Sequence, residues 1–314
     1  MRRLLRILAL ALLAVLVLPP LYFAVVGPER PELPPAEGRV ALSEGREIHV
    51  VERGAGPPVL LVHGLPGTAF DWAPLHEALA ARGLRVIAMD RAGYGHSDPR
   101  ARQADYTYEA NAADVLALLE ALELDDVTVV GWSYGGGTAI HAARRDPSRL
   151  RALVLVGSAG PLAEPPEEPP WIMRVLFSRP VLAWLRLVPP LTEGMRRSIS
   201  EEAFSGQPYP DWWLPQLAAN LEQRRSFEAW EAEGRLITWG DDLDPASIEI
   251  PVLVIHGDDD RFVPLAVAET LHARSRYGEL ALVEGGSHML PVTHPGPLAD
   301  AIAAFAAPRA SAAE

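Results

Sequence analysis

Cysteine does not occur anywhere in the 314 residues. Its absence excludes disulfides, thiolate nucleophiles, cysteine-zinc sites and lipoprotein attachment, and leaves the redox compartment open. Lysine is missing as well, so all 28 basic residues are arginine, set against 41 acidic ones for a net charge of −13. The arginines form no basic cluster, which argues against nucleic acid as a partner. We read the missing lysine as compositional bias of the genome rather than as function. There is no internal repeat. What the chain does have is apolar mass: 49% of its residues are hydrophobic. That is enough for a sizeable core and excludes disorder as a description of the whole chain. The length fits one large domain or two small ones.

The first residues stand apart. Arg2, Arg3 and Arg6 precede an uncharged run from Ile7 to Pro28 made mostly of Leu, Ala and Val. A basic start before an apolar stretch is the pattern of a signal peptide or a membrane anchor, and about 20 residues suffice to cross a bilayer. Pro19-Pro20 is expected to kink or break the run, leaving Ile7–Leu18 as a shorter helix. Neither Tyr22-Phe23-Ala24 nor Val25-Val26-Gly27 offers a good small-x-small cleavage site, which favours an uncleaved anchor over a cleaved signal. The arginines would then stay in the cytoplasm and the remainder would face outward, periplasmic or extracellular. Residues 1–27 are thus expected to be anchor or signal. Residues 28–38, with four prolines, read as a stiff linker.

From residue 39 the pattern becomes globular. Arg39–Ser43 and Arg46–Arg53 read as a strand pair turning at Glu44-Gly45. Pro58–His63 is a continuous apolar run of the kind buried on both faces of a sheet. Helix Ala73–Arg82, strand Arg85–Met89, helix Tyr108–Leu122, strand Val127–Val130, a helix after Gly136 and strand Ala152–Val156 follow. This alternation predicts a parallel sheet covered by helices. From Gly160 to about Asp244 the strand signal stops. Six of the eight tryptophans lie there (Trp171, Trp184, Trp212, Trp213, Trp230 and Trp239). The stretch 161–244 is expected to be an inserted helical lid over an apolar pocket, although any single tryptophan suits plain packing better than substrate contact. Arg174, Arg179 and Arg186 have the spacing of a solvated helix face. Strand Pro251–His256, helix Leu265–Arg276, strand Leu280–Val283 and helix Pro297–Ala306 complete a core of 39–160 and 245–307.

One hexapeptide organises the chemistry. Gly131-Trp132-Ser133-Tyr134-Gly135-Gly136 joins an apolar strand to a stretch of helix formers, the context that a G-x-S-x-G nucleophile elbow requires. Serine is a weak nucleophile until a base takes its proton and an acid orients that base. The base is expected after the last strand, where His288 lies in a glycine loop. The acid is expected after an earlier strand, in Gly257-Asp258-Asp259-Asp260-Arg261-Phe262-Val263-Pro264. Spacing does not choose among its three aspartates. His63, His96 and Asp98 suit loop-shaping roles, and His141 and His294 have no claim to the chemistry.

Five segments in order, LVHGLPGTAFDW (Leu61–Trp72), DRAGYGHSD (Asp90–Asp98), GWSYGG, HGDDDRFVP (His256–Pro264) and GGSHMLPVTHP (Gly285–Pro295), resemble the α/β-hydrolase superfamily over about residues 39–306. The likeness is to its lidded, cofactor-free group of esterases, carbon–carbon bond hydrolases, proline iminopeptidases and non-haem haloperoxidase-like proteins. It implies a mostly parallel eight-stranded sheet flanked by helices. It also implies a triad of Ser133, Asp260 and His288, an oxyanion hole in the N–H groups of Leu65 and Tyr134, and neither cofactor nor metal. The expected activity is serine hydrolysis of an ester-type bond in a small apolar substrate. A carbon–carbon bond hydrolase of the same triad, an acyltransferase and a non-catalytic ligand-binding protein of the same fold are the competing readings. The family's dehalogenases and epoxide hydrolases carry aspartate where this chain has Ser133, and so are disfavoured.

Overall fold

The computed structural model describes residues 2–26, 32–161, 180, 181, 184, 187–238 and 240–307. Trp171, Trp239, Arg174, Arg179 and Arg186 lie outside the described residues. Eight strands form one sheet: β1 (Gly38–Ala41), β2 (Glu47–Arg53), β3 (Pro58–Val62), β4 (Arg85–Met89), β5 (Val127–Trp132), β6 (Leu150–Val156), β7 (Val252–Gly257) and β8 (Gly278–Val283). Their spatial order is β1-β2-β4-β3-β5-β6-β7-β8. The pairings of β2 with β1 and with β4 are antiparallel, and every other pairing is parallel.

Period-two alternation divides the core between the two faces of the sheet. Leu60 and Val62 of β3 pack with Leu118 of helix α3 (Tyr108–Ala121) and Ile140 of helix α4 (Tyr134–Arg145). Val59 and Leu61 face Leu75 and Leu79 of helix α2 (Ala73–Ala80), and Leu298 and Ile302 of a C-terminal helix (Pro295–Ala306). All four β3 side chains have no accessible surface. Burial of each such side chain contributes about 1.5–3 kcal/mol, which is why an unbroken apolar run reads as an interior strand.

The described residues between β6 and β7 include the helices α5 (Pro189–Ala203), α6 (Trp213–Glu222) and α7 (Arg224–Leu236). Phe204 and Trp213 join the same core as Leu75 and Leu298. The Trp213 indole N–H donates to Ser200 Oγ at 2.9 Å, and its ring meets Phe204 edge-on at 5.4 Å. This tryptophan is interior packing.

The N-terminal helix α1 departs from expectation. It runs unbroken over Arg2–Val26, straight through Pro19 and Pro20. Proline removes an N–H but its fixed φ is itself helical, so the loss is of hydrogen bonds rather than of helical dihedrals. Pro20 is the residue whose N–H would have bonded the Leu16 carbonyl. The Trp184 indole N–H takes that carbonyl instead, at 2.7 Å. Among the described residues no helix is long and apolar enough to cross a membrane. The expectation of a spanning anchor therefore gains no support from the fold.

Candidate active site

The parallel strands place their C-terminal ends side by side, the usual location of a site in an open α/β sheet. Val62 of β3 sits opposite Gly131, Trp132 opposite Val156, and Gly257 opposite Val283. The loops that follow carry Leu65, Ser133, Asp260 and His288.

Ser133 is held at φ 54° and ψ −119°. A non-glycine residue in that region is strained by about 1–3 kcal/mol and persists only where its surroundings enforce it. Here its N–H donates to the Val156 carbonyl at 3.0 Å, and its own carbonyl accepts from Gly136 and Ala159, each at 3.0 Å. Gly135 lets the turn close: a Cβ there would stand 2.1 Å from the Val62 carbonyl oxygen, and one on Gly131 would stand 2.4 Å from that of Gly135. The sharp bend presents the serine at the end of β5.

Of the three competing aspartates, Asp260 is the one that reaches the histidine. The His288 Nδ1–H donates to Asp260 Oδ2 at 2.8 Å. The other carboxylate oxygen accepts the N–H groups of Phe262 and Val263 at 2.8 and 2.9 Å. Burial pushes this carboxyl up, but His288 and the backbone donors outweigh it and hold it below the usual carboxylate range. Asp258 instead accepts the Gly285 N–H, and Asp259 pairs with Arg261 near the surface. With Nδ1 committed, Nε2 is the free nitrogen of His288, and nothing among the described residues occupies it. Phe262 stacks on the imidazole at 5.4 Å, and the Trp132 indole N–H donates to the His288 carbonyl at 2.9 Å, tying the histidine loop to the residue before Ser133. No hydrogen bond joins Ser133 to His288; such contacts often tighten only when substrate binds.

The N–H groups of Leu65 and Tyr134 find no acceptor among the described residues. Tyr134 opens helix α4, where an unpaired N–H and the helix dipole both favour negative charge. His63 is neutral: burial and the nearby Arg91 push its pKa down to about 3. Its Nε2 accepts the Arg91 N–H and its Nδ1–H donates to Gly64. His96 bonds the Pro34 carbonyl, and Asp98 accepts the Glu47 N–H. Three elements of the neighbourhood have no signature in the sequence: the Trp132 contact, a buried Asp90–His49 pair, and an Arg91–Glu233 ion pair reaching into helix α7. Among the described residues no group of three or more His, Asp or Glu side chains is placed to hold a metal ion.

A profile described as the alpha/beta hydrolase fold matches residues 57–295. The chain belongs to the α/β-hydrolase family. This α/β-hydrolase is 32% identical over 260 residues to a non-heme haloperoxidase of Rhodococcus erythropolis, covering 79% of this chain and 92% of that one. It is 30% identical over 298 residues to a 2-hydroxymuconate semialdehyde hydrolase of Pseudomonas sp. (strain CF600), covering 90% and 98%. Among solved structures, a membrane phospholipase A, described as a bacterial virulence factor, superposes with a TM-score of 0.69 at 22% identity, over 97% of this chain and 98% of the other. The last likeness is one of fold.

Proposed function

We propose that this α/β-hydrolase is a serine hydrolase that cleaves a carboxylic ester-type bond. The observation that carries the reading is the buried Asp260–His288 hydrogen bond, set at the sheet edge where Ser133 occupies its strained turn. Ser133 Oγ attacks the carbonyl carbon while His288 Nε2 takes its proton, and Asp260 holds the imidazole in the tautomer that leaves Nε2 basic. The tetrahedral oxyanion forms facing the N–H groups of Leu65 and Tyr134; each such donor contributes about 3 kcal/mol to lowering the barrier. His288 then returns its proton to the departing alcohol, and water, activated by the same imidazole, releases the acid. The helices between β6 and β7 are the lid over an apolar acyl or alcohol group.

The test is hydrolysis of p-nitrophenyl esters from acetate to palmitate, with Ser133→Ala alongside. Turnover that vanishes in the variant supports the reading, and the chain-length optimum sizes the pocket. Folded protein inert on every ester sinks it. The extensive likeness to a 2-hydroxymuconate semialdehyde hydrolase favours a carbon–carbon bond hydrolase as the second reading, and silence on esters would bring that and a non-catalytic ligand-binding role forward.

We further propose that helix α1 holds the catalytic domain at a membrane, outside the cytoplasm. Support comes from Arg2, Arg3 and Arg6 ahead of an uncharged run, and from a helix exposing Leu13, Val15, Leu16, Leu18 and Leu21 to solvent. Full-length protein should sediment with membranes after alkaline carbonate washing, and protein starting at Pro35 should not. Recovery of both in the soluble fraction would refute the anchor; a shortened full-length product would indicate a cleaved signal.

A further inference from the structure

The peptide between Gly64 and Leu65 is gripped from behind. Its carbonyl oxygen accepts Arg91 Nη2 at 2.9 Å and His63 Nδ1 at 2.8 Å. The preceding carbonyl, of His63, accepts Arg91 Nε at 3.1 Å, and the Arg91 backbone N–H fixes the ring of His63 through Nε2 at 3.0 Å. In a trans peptide the C=O and the N–H point in opposite directions, so two donors on the Gly64 oxygen also fix the aim of the Leu65 N–H. Gly64 itself lies against the nucleophile: a Cβ on it would stand 3.0 Å from Ser133 Cβ and 3.5 Å from Ser133 Oγ.

The grip has a counterweight in the inserted helices. Arg91 Nη1 bonds Glu233 of helix α7, and both side chains are buried to within 1% of full. Glu233 also accepts Tyr94 Oη at 2.8 Å and Asn111 Nδ2 at 2.7 Å. The guanidinium lies over the rings of Tyr94 and Tyr134, 4.9 and 4.5 Å from their centroids. Burying both charges gains little stability over an apolar pair, so stability alone does not account for the arrangement. One arginine braces the loop bearing one oxyanion donor and the ring of the residue bearing the other.

We propose that Arg91 is a positioning residue for the oxyanion site and that Glu233, supplied by the inserted helices, holds Arg91 in place. The inference rests on the serine-hydrolase reading above.

The test compares wild type, Arg91→Met/Glu233→Gln (which removes both charges together), Arg91→Lys and Ser133→Ala. The readouts are kcat and KM on p-nitrophenyl butyrate and the affinity of an alkyl trifluoromethyl ketone, which adds Ser133 to give a tetrahedral oxyanion. Loss of a whole oxyanion donor costs about 100- to 1,000-fold, so a misaimed one should cost kcat about 10- to 100-fold, with KM moving less than threefold and ketone affinity falling in step. Arg91→Lys keeps the charge facing Glu233 but cannot hold both carbonyls, so it should share the loss. Wild-type kcat in Arg91→Lys would reduce Arg91 to charge balance and overturn the proposal, as would wild-type kcat in the folded double variant. Should the double variant fail to fold, Arg91→Lys decides alone. In each of these outcomes Ser133→Ala is inert; turnover surviving in Ser133→Ala would instead overturn the serine reading and the oxyanion role together.

Discussion

Among the described residues two buried aspartate–histidine hydrogen bonds lie at the C-terminal side of this sheet, and only one of them leaves the far side of its imidazole open. His288 Nδ1 bonds Asp260 at 2.8 Å, and His49 Nδ1 bonds Asp90 at 2.7 Å. In both, burial pushes the carboxyl up and hydrogen bonds from the histidine and from backbone N–H groups overcome it, leaving the acid below its usual range. They differ at the far side of each imidazole. His49 Nε2 accepts the Glu37 N–H at 3.1 Å and the residue has no accessible surface, whereas His288 keeps Nε2 unoccupied and 7% of its surface open. An Asp–His hydrogen bond alone therefore does not mark a base; what sets His288 apart, and suits it to the proposed role, is its open second nitrogen. The sealed pair is structural: Asp90 also accepts the N–H groups of Ala69 and His96, at 2.7 and 2.8 Å, pinning the loops after β3 and β4.

The contrast breaks most visibly at the proposed reacting groups. Ser133→Ala should lower kcat at least 10⁴-fold with an unchanged melting curve. Asp260→Asn should cost about 10⁴-fold by leaving His288 in the wrong tautomer. Next in size comes the sealed pair, where the same chemistry yields the opposite outcome. His49→Leu leaves Asp90 buried without its ring donor, which should cost about 3–5 kcal/mol of stability in denaturant titration. The kcat of the folded fraction should stay within threefold of wild type. A variant as stable as wild type, or folded and inactive, would mean that the two pairs are not divided as described.

The sequence reveals one of these pairs far better than the other. All eight strands are visible in it: the interior parallel ones through the continuous apolar runs they need, as in Val59–Val62 and Val252–Ile255, and β1 and β2 as a pair turning at Glu44-Gly45. His288 stands out through its glycine loop. The choice of Asp260 over Asp258 and Asp259 depends on turn geometry, in which the N–H groups of Phe262 and Val263 converge on a single carboxylate. His49 and Asp90, 41 residues apart, belong to no spacing rule. Arg91 and Glu233, 142 residues apart, meet only because the inserted helices fold back over the loop after β4. Pro19 and Pro20 mislead for a different reason, since their cost lies in two lost hydrogen bonds, one of which Trp184 offsets from elsewhere in the chain.

A third buried carboxylate sharpens the comparison by having no histidine. Asp71 accepts only neutral donors, the Thr68 N–H and hydroxyl and the side-chain amide of Gln216 from helix α6. Burial dominates there and pushes its pKa from 3.8 up to about 7. Between those two values the folded chain keeps a proton that the unfolded chain has released. Stability from this group is therefore full below about pH 4 and declines as pH rises toward 7, by about 1.4 kcal/mol per pH unit. His63 works in the opposite direction: neutral in the fold down to about pH 3, it is protonated below about 6.5 when unfolded, so it favours folding as pH rises. The two slopes oppose each other in wild type, and a single stability profile would hide both. Subtracting the profile of Asp71→Asn cancels His63. The difference should shift by about 3 kcal/mol against wild type between pH 4.5 and 6.5. A difference independent of pH would show Asp71 ionised in the fold, and a histidine would then not be what separates the other two acids from it.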